Sequence, residues 1–330
     1  MSNEMTLKRD NLPKEKLSAR QIFIEYGAAI ALVLLIIFNS IFTRNFMQLS
    51  TLFLIIKQAT PILFLTVSMT LVISSGGIDI SAGSMMAFCG IIVAMGITDG
   101  GNFLLYCLIA LLVCAGIGTF NGYLISKVRV QPIILTLVMQ IVMRGVTVLL
   151  ASSSVFVLTS AKKFPEIRFL GLYRFPGNIP VQTVFFVIIV IFGLFIVNKT
   201  TLGKQIEALG GNEKAARLSG IDTTKITIIV YALSGVLAGM CGILEMSRNG
   251  ALDPNELGKL YELDAIAGVA IGGTSMKGGK MNMLGSVMGC IIMIMIGTTV
   301  NMNGIPFAYS NIIKAGIIIV SLAIQREKSV

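Results

Sequence analysis

The sequence predicts an all-α membrane protein with about ten transmembrane helices, some of them short or broken, and with both termini in the cytoplasm. Of its 330 residues, 55% are hydrophobic and only 13% are charged, whereas a soluble domain carries about 25% charged residues. The mean hydropathy is +0.87. Apolar stretches long enough to cross a bilayer recur from Phe23 nearly to the end of the chain.

Ten apolar segments, separated by glycine, proline and charged residues, are the candidate spans. They cover residues 23–42, 51–73, 84–98, 104–126, 132–152, 181–198, 226–246, 262–274, 283–300 and 306–324. The third and the eighth are too short for an upright crossing, so we expect them to be tilted, broken or re-entrant. The first is too long for a signal-peptide core and lacks a small-residue cleavage site, which indicates an uncleaved span.

The basic residues predict the orientation, because Lys and Arg concentrate in cytoplasmic loops. With the N-terminus inside, 16 of the 26 basic residues lie in cytoplasmic segments, seven in external segments and three within spans. This predicts cytoplasmic tails over residues 1–22 and 325–330 and a single transmembrane domain over 23–324. Within that domain, residues 153–180 form an irregular external loop and 199–225 a cytoplasmic loop.

The composition excludes several classes of function. The chain contains no histidine, so histidine metal sites, Ser/His/Asp triads and histidine proton shuttles are excluded. The five cysteines lie singly in apolar runs and are expected to pack in the bilayer. The net charge is +10, but no basic stripe with interleaved aromatics occurs, so nucleic acid is not an expected partner. We expect no metal site and no catalytic residue.

Two glycine-rich segments interrupt the apolar pattern. The first, GGIDISAGS, contains Gly76, Gly77, Asp79, Ser81 and Gly83. Glycines let the backbone unwind, and a carboxylate at such a break can line a water-filled path. The alternative is a tight loop in which Asp79 or Ser81 caps the next helix.

The second glycine-rich segment, IGGTSMKGGK, contains Gly272 and Gly273. Breaks at corresponding positions in two halves are typical of transporters built from repeats. The similarity between the two segments is limited to a glycine pair and a later glycine, so a repeat remains a hypothesis.

The cytoplasmic loop contains a predicted helix of about two turns, with Asn212 as its N-cap and Gly220 as its left-handed stop. Its alanines leave part of the helix flat, and a glycine pair precedes it. It is either a docking surface for a soluble partner or a simple connector. The candidate residues are Gly210, Gly211, Asn212, Glu213, Ala215, Ala216, Arg217 and Gly220.

Three basic residues, Lys57, Arg144 and Lys314, fall within spans. A charge at the bilayer centre costs about 2.5 to 3.5 kcal/mol on insertion scales. Lys57 lies near a span end, where its side chain can reach the interface. Arg144 and Lys314 are more central, so each either pairs with an acidic residue or contacts a transported solute. The candidate acidic partners are Asp79, Glu245, Glu262 and Asp264.

Four segments together resemble the membrane-spanning permease subunit of bacterial ABC importers for ribose and related monosaccharides. They are GGIDISAGSMMAF, LGKQIEALGGNEKAARLSGI, YELDAIAGVAIGGTSMKGGK and the closing IIKAGIIIV. The resemblance runs from about residue 49 to residue 324 and therefore covers most of the chain.

The resemblance implies a bacterial cytoplasmic (inner) membrane location and three protein partners. They are a cytoplasmic ABC ATPase, an extracytoplasmic sugar-binding protein and a second permease copy, identical or a paralogue. In this family the cytoplasmic loop supplies a coupling helix that docks on the ATPase, which favours the docking interpretation. Asp79 and Arg144 match family positions that we interpret as structural or path-lining.

The resemblance also implies transport by alternating access, with the energy supplied by the partner. No P-loop motif occurs in the chain, so we expect no ATP site and no cofactor in this subunit, with ATP and Mg on the ATPase. Another sugar, a signalling sugar or a nucleoside remains an alternative cargo. An ion-coupled secondary transporter is a remote alternative, and an intramembrane enzyme lacks a credible nucleophile and base.

Overall fold

A computed structural model of the chain describes residues 19–160, 162–306 and 308–325. The two predicted tails lie almost entirely outside these ranges. The described residues form thirteen α-helices and two pairs of very short strands. The helices are α1 (Ala19–Phe42), α2 (Leu49–Ser74), α3 (Ala82–Thr98), α4 (Phe103–Tyr123), α5 (Pro132–Leu150), α6 (Pro165–Leu172), α7 (Gln182–Lys199), α8 (Thr201–Gly211), α9 (Glu213–Leu218), α10 (Thr223–Asn249), α11 (Tyr261–Ile271), α12 (Met283–Met302) and α13 (Ala308–Gln325).

A helix overlaps each of the ten segments predicted as spans. Six helices of the described chain are long and apolar enough to cross a membrane: α2, α4 with the π-helical turn that extends it to Val128, α5, α7, α10 and α12. The prediction of a polytopic helical membrane protein is therefore confirmed. Helices α3 and α11 have 17 and 11 residues, in agreement with the short third and eighth segments. The number of crossings and the side of the termini stay predictions.

Among the six long helices, α2, α10 and α12 are mostly buried, whereas α4, α5 and α7 present most of their side chains outward. On α4, for example, Leu104 and Leu112 are exposed, as expected for a surface that faces lipid tails. Small residues bring the helices close together. A Cβ atom on Gly118 of α4 would overlap the carbonyl oxygen of Tyr231 of α10, and one on Gly235 of α10 would overlap that of Cys114.

The loops gather at two ends of the bundle, which we call the α9 end and the opposite end. Helix α2 ends beside α8 at the α9 end. At the opposite end, strand β1 (Phe156–Val157) pairs with β4 (Ala251–Leu252), which joins the loop 153–180 to the segment after α10. That loop is more regular than predicted, because it also contains α6 and the hairpin of β2 (Arg174–Phe175) and β3 (Ile179–Pro180).

Helices α3 and α11 begin beside each other inside the bundle. A Cβ atom on Gly83, in the first turn of α3, would overlap both the Gly258 carbonyl oxygen and the Glu262 carboxylate of α11. The segment 253–260 reaches this point with positive φ angles of 75° at Gly258 and 65° at Leu260. Both short helices therefore start at breaks within the bundle, as non-helical backbone at membrane depth requires protein around it.

Candidate functional site

Helix α9 has the caps that the sequence predicts. The side chain of Asn212 accepts a hydrogen bond from the backbone N–H of Ala215 at 3.0 Å, and Gly220 has a φ of +86° just beyond the helix. Glu213 in the first turn accepts hydrogen bonds from Arg129 at 2.7 Å and from Arg217 at 3.1 Å. The ion pair with Arg129 links the short helix to the loop that follows α4, and the pair with Arg217 lies within α9.

Helix α9 presents one face to solvent and packs the other against the bundle. Lys214, Ala215 and Leu218 are exposed, and Leu218 has 90% of its surface accessible. Ala216 is buried, with an exposed fraction of 4%. Ala216, which the sequence includes among the candidate docking residues, therefore does not contribute to the exposed face, because the side of so short a helix that faces inward is set by its neighbours. The exposed residues of α9 are Lys214, Ala215, Arg217 and Leu218.

Helix α8, which supports α9, was not anticipated in the sequence. The Thr200 hydroxyl caps it by accepting a hydrogen bond from the Gly203 N–H at 3.3 Å. Ile206 and Leu209 are buried. The signal was present, because Leu202, Ile206 and Leu209 follow the spacing of one apolar helix face. The charged residues between them obscured it.

Three chain segments meet backbone to backbone where α8 ends. Gly210 lies against the end of α2: a Cβ atom there would overlap the carbonyl oxygen of Ser74 and lie 2.6 Å from the Gly279 nitrogen. The Gly279 N–H donates to the same Ser74 oxygen at 2.9 Å. Gly278, with a φ of +92°, packs on the Gly210 carbonyl. We call Ser74, Gly210, Gly278 and Gly279 the glycine junction.

The glycine junction brings together the two glycine-rich segments of the sequence, since Ser74 precedes the first and Gly279 belongs to the second. A side-chain contact reinforces it: Glu207 of α8 accepts a hydrogen bond from the Met281 N–H at 3.1 Å. Gly211, by contrast, has room for a side chain, since a Cβ atom there would meet no atom within 4 Å in the described chain. Of the glycine pair, therefore, only Gly210 lacks space for a side chain.

In the second glycine-rich segment, Gly272 and Gly273 end α11. Gly272 packs on the first turn of α12, where a Cβ atom would overlap the Ser286 nitrogen. Gly273 has a φ of +78°, which an L side chain rarely adopts. The pair thus combines a close helix approach with a left-handed turn.

The first glycine-rich segment borders a cavity of about 280 Å³ beneath α9. Gly76 and Gly77 line it together with Arg129, Glu213 and Tyr231. Gly77 lies against the Tyr231 hydroxyl, which is buried and has no hydrogen-bond partner among the described residues. The cavity opens where α9, the first glycine-rich segment and the loop after α4 meet.

Asp79 forms the hydrogen bonds that fix the first glycine-rich segment. It is fully buried, and one carboxylate oxygen accepts from the Ser234 hydroxyl of α10 at 2.6 Å. The other oxygen accepts from the Ser81 hydroxyl at 2.6 Å and the Ser81 N–H at 3.1 Å. Ser81 makes no side-chain capping bond to α3. The segment is therefore a tight loop that Asp79 links to α10 by hydrogen bonds, without the side-chain cap on α3 that the sequence alternative includes, and a role of Asp79 in lining a path stays a prediction.

Arg144 has a different partner from the acidic ones considered in the sequence. Its guanidinium donates to the carbonyl oxygens of Pro254 at 3.0 Å and Leu257 at 2.7 Å. Within the described chain it makes no ion pair. Arg144 therefore holds the segment 253–260 inside the bundle and satisfies carbonyls that a membrane interior would leave unpaired.

Lys314 forms an ion pair with Asp264, as one of the sequence alternatives predicts. The Nζ atom lies 2.8 and 3.0 Å from the two carboxylate oxygens. Lys57 is half-buried on α2. Of the other acidic candidates, Glu245 pairs with Arg248 and Glu262 accepts a hydrogen bond from Gln140 at 3.1 Å.

Comparisons with known proteins identify related chains. The family model described as a branched-chain amino acid transport system permease component matches residues 51–322. The chain is 37% identical over 305 residues to the ribose import permease of Escherichia coli K12, covering 92% of this chain and 94% of that protein.

Two further relatives carry other sugars in their names. The chain is 34% identical to the fructose import permease of Bifidobacterium longum, over 99% of this chain and 94% of that protein. It is 33% identical to the galactofuranose transporter permease of E. coli K12, over 83% and 79% of the two. No solved structure gives a significant match.

Proposed function

The chain belongs to the family of branched-chain amino acid transport system permease components, and we propose that it carries ribose or a related monosaccharide as the permease subunit of an ABC importer. Three of its relatives are named as a ribose import permease, a fructose import permease and a galactofuranose transporter permease. It is therefore a sugar import permease, and the resemblance drawn from its motifs is confirmed.

One observation carries the choice of ribose: the 37% identity to a ribose import permease over 92% of the chain. The relatives named for fructose and galactofuranose share nearly as much of the sequence, so another sugar is the second candidate. A signalling sugar or a nucleoside remains a more distant alternative within the family resemblance.

We further propose that α9 is the coupling helix that docks on a cytoplasmic ABC ATPase. An apolar side chain that is 90% exposed, Leu218, has no role in packing the permease itself, whereas aliphatic side chains ringed by polar groups are suited to a protein interface. Ala215 leaves the neighbouring surface flat. ATP and Mg would bind to the ATPase, and this subunit would bind no cofactor.

The contacts of α8 support a route from the ATPase to the transmembrane helices. Through the glycine junction α8 touches the end of α2 and the loop before α12, so movement of α9 would displace both. Alternating access requires such a link. Changing the ratio of outward-open to inward-open states from 1:99 to 99:1 takes about 5.5 kcal/mol of differential binding, which nucleotide binding to the ATPase would supply.

The opposite end of the bundle is the proposed external side in a bacterial cytoplasmic membrane. This orientation places α6 and the two strand pairs where an extracytoplasmic sugar-binding protein would dock. It agrees with the basic-residue count and with ten crossings, because successive long helices connect alternate ends. A second permease copy, identical or a paralogue, would complete the translocation path.

The test of the coupling helix is Leu218→Asp in tagged protein purified in mild detergent from its native host. The matched control is Leu172→Asp, because Leu172 of α6 is also exposed, at 59%, but lies at the opposite end. Since neither leucine is buried, both variants should insert and purify at wild-type yield.

The proposal predicts that an ABC ATPase co-purifies with the wild type and with Leu172→Asp. In Leu218→Asp its recovery should fall at least about tenfold, which corresponds to a loss of roughly 1.4 kcal/mol. Equal recovery of the ATPase with both variants would contradict the docking role of α9.

A further inference from the structure

A second cavity, of about 270 Å³, lies near the opposite end of the bundle. It is lined by residues of α2, α10, α11, α12 and α13 and opens to the outside. Arg248 and Asn301, which line it, are the next-to-last residues of α10 and α12. The cavity therefore lies close to the ends of these two helices. Its polar lining consists of Gln58, Arg248, Tyr261, Asp264, Asn301 and Lys314. So many polar groups around one cavity are unusual in a chain with 13% charged residues.

The Asp264–Lys314 ion pair forms one wall of this cavity. The two side chains are only 22% and 10% exposed, and a charge removed from water is costly unless it is paired. Replacing a buried ion pair by apolar residues of similar volume is often neutral or stabilising. Stability alone therefore does not account for the pair, and its charged groups are available to a polar ligand in the cavity.

A buried network behind the cavity fixes two further polar side chains. Glu245 accepts hydrogen bonds from Arg248 and from the Tyr261 hydroxyl, the latter at 2.7 Å. Asn249 donates to the same carboxylate at 3.1 Å. With these contacts made at the back, Arg248 and Tyr261 are held in place against the cavity, as a preorganised binding site requires.

Two amide side chains complete the lining. The Oε1 atom of Gln58 accepts a hydrogen bond from the Thr298 hydroxyl at 3.0 Å. This bond fixes the orientation of the amide and leaves its NH₂ group free of Thr298. No acceptor for that NH₂ group occurs among the described residues. The Asn301 side chain is exposed on the cavity and likewise has no hydrogen-bond partner in the described chain.

A polyhydroxylated ring offers hydroxyls that both donate and accept, together with an apolar C–H face. The cavity supplies matching donors from Gln58, Arg248 and Lys314, and acceptors from Asp264 and Asn301. Its volume is close to the lower end of the range of about 300 to 1,000 Å³ for small-molecule sites. On the basis of the proposed sugar import, we infer that this cavity is a monosaccharide subsite on the external side of the translocation path.

The test uses the complete importer, with its ATPase and sugar-binding protein, reconstituted in liposomes. The variants are Asn301→Ala and Gln58→Leu, and the matched control is Asn303→Ala. Asn303 lies two residues from Asn301 at the end of α12 but bonds to Thr43 of the segment after α1, at 3.0 Å, and does not line the cavity. Uptake of ribose, competition by fructose, and ATPase stimulation by the loaded binding protein are measured together.

We expect Asn301→Ala and Gln58→Leu to lower ribose uptake at least about fivefold and to change the competition by fructose, with ATPase stimulation kept. A residue with a purely structural role would not change sugar preference. Asn303→Ala should behave as the wild type. Unchanged uptake and competition in both cavity variants would overturn the subsite alone, whereas a wild-type complex that takes up no sugar with ATP would overturn the proposed function and the subsite with it.

Discussion

Gly210, at the end of α8, packs against the carbonyl oxygen of Ser74, the last residue of α2, so closely that a Cβ atom on Gly210 would overlap that oxygen. The same carbonyl accepts a hydrogen bond from Gly279 at 2.9 Å. Because these contacts join backbone to backbone at close range, we expect displacement of α8 to move α2 and the loop before α12 together. The glycine junction therefore connects the proposed docking surface to the transmembrane core.

Replacing Gly210 by alanine should separate these backbones. The added methyl group would force α8 away from α2, and overpacking of this kind costs about 1 to 3 kcal/mol. We expect a lower detergent melting temperature and reduced uptake per ATP hydrolysed. Gly211→Ala is the control, since its Cβ meets no atom within 4 Å in the described chain. Equal melting temperatures and equal coupling for the two variants would contradict the role of the junction.

Asp79→Ala should lower the thermal stability of the protein by disrupting the first glycine-rich segment. It would leave the Ser234 hydroxyl and the Ser81 N–H without their acceptor, and each unsatisfied buried group costs about 1 to 3 kcal/mol. Asp79→Asn keeps an acceptor oxygen and should have a smaller effect. Thermal stability followed by fluorescence-detected gel filtration measures this, with the exposed Asp99→Ala as control. If Asp79→Ala were as stable as Asp99→Ala, the hydrogen bonds of Asp79 would not be needed for stability.

The orientation can be tested with single introduced cysteines. Arg168 of α6 and Lys214 of α9 are both exposed, at opposite ends of the bundle. A membrane-impermeant maleimide applied to intact spheroplasts should label Arg168→Cys, and should label Lys214→Cys only after permeabilisation. Of the native cysteines four are buried and Cys107 is partly buried, so background labelling should be low. The reverse pattern would invert the proposed topology.

Local chemistry made α9 predictable. A side-chain N-cap at Asn212 and a left-handed glycine at Gly220 act over a few residues, so the sequence alone specifies where the helix begins and ends. The orientation of Ala216 was not predictable, because it depends on helices far away in the chain. The same reason explains why Gly210 and Gly211, adjacent and identical, have different surroundings.

Long-range contacts also decide the partners of buried charges. The sequence offered Asp264 among several acids for Lys314, and only the packing of α11 against α13 selects it. For Arg144 the sequence offered an acidic partner or a transported solute, but the segment 253–260 folds into the bundle and presents two carbonyl oxygens instead. Nothing in the local pattern of that segment indicated that it turns inward.

The most direct test of the account is ribose uptake by the purified complex in liposomes, with ATP inside and the loaded sugar-binding protein outside. The account predicts that uptake requires both, and that dissipating ion gradients has no effect. Uptake by the isolated permease, driven by an ion gradient without an ATPase, would contradict it and would establish the secondary-transporter alternative.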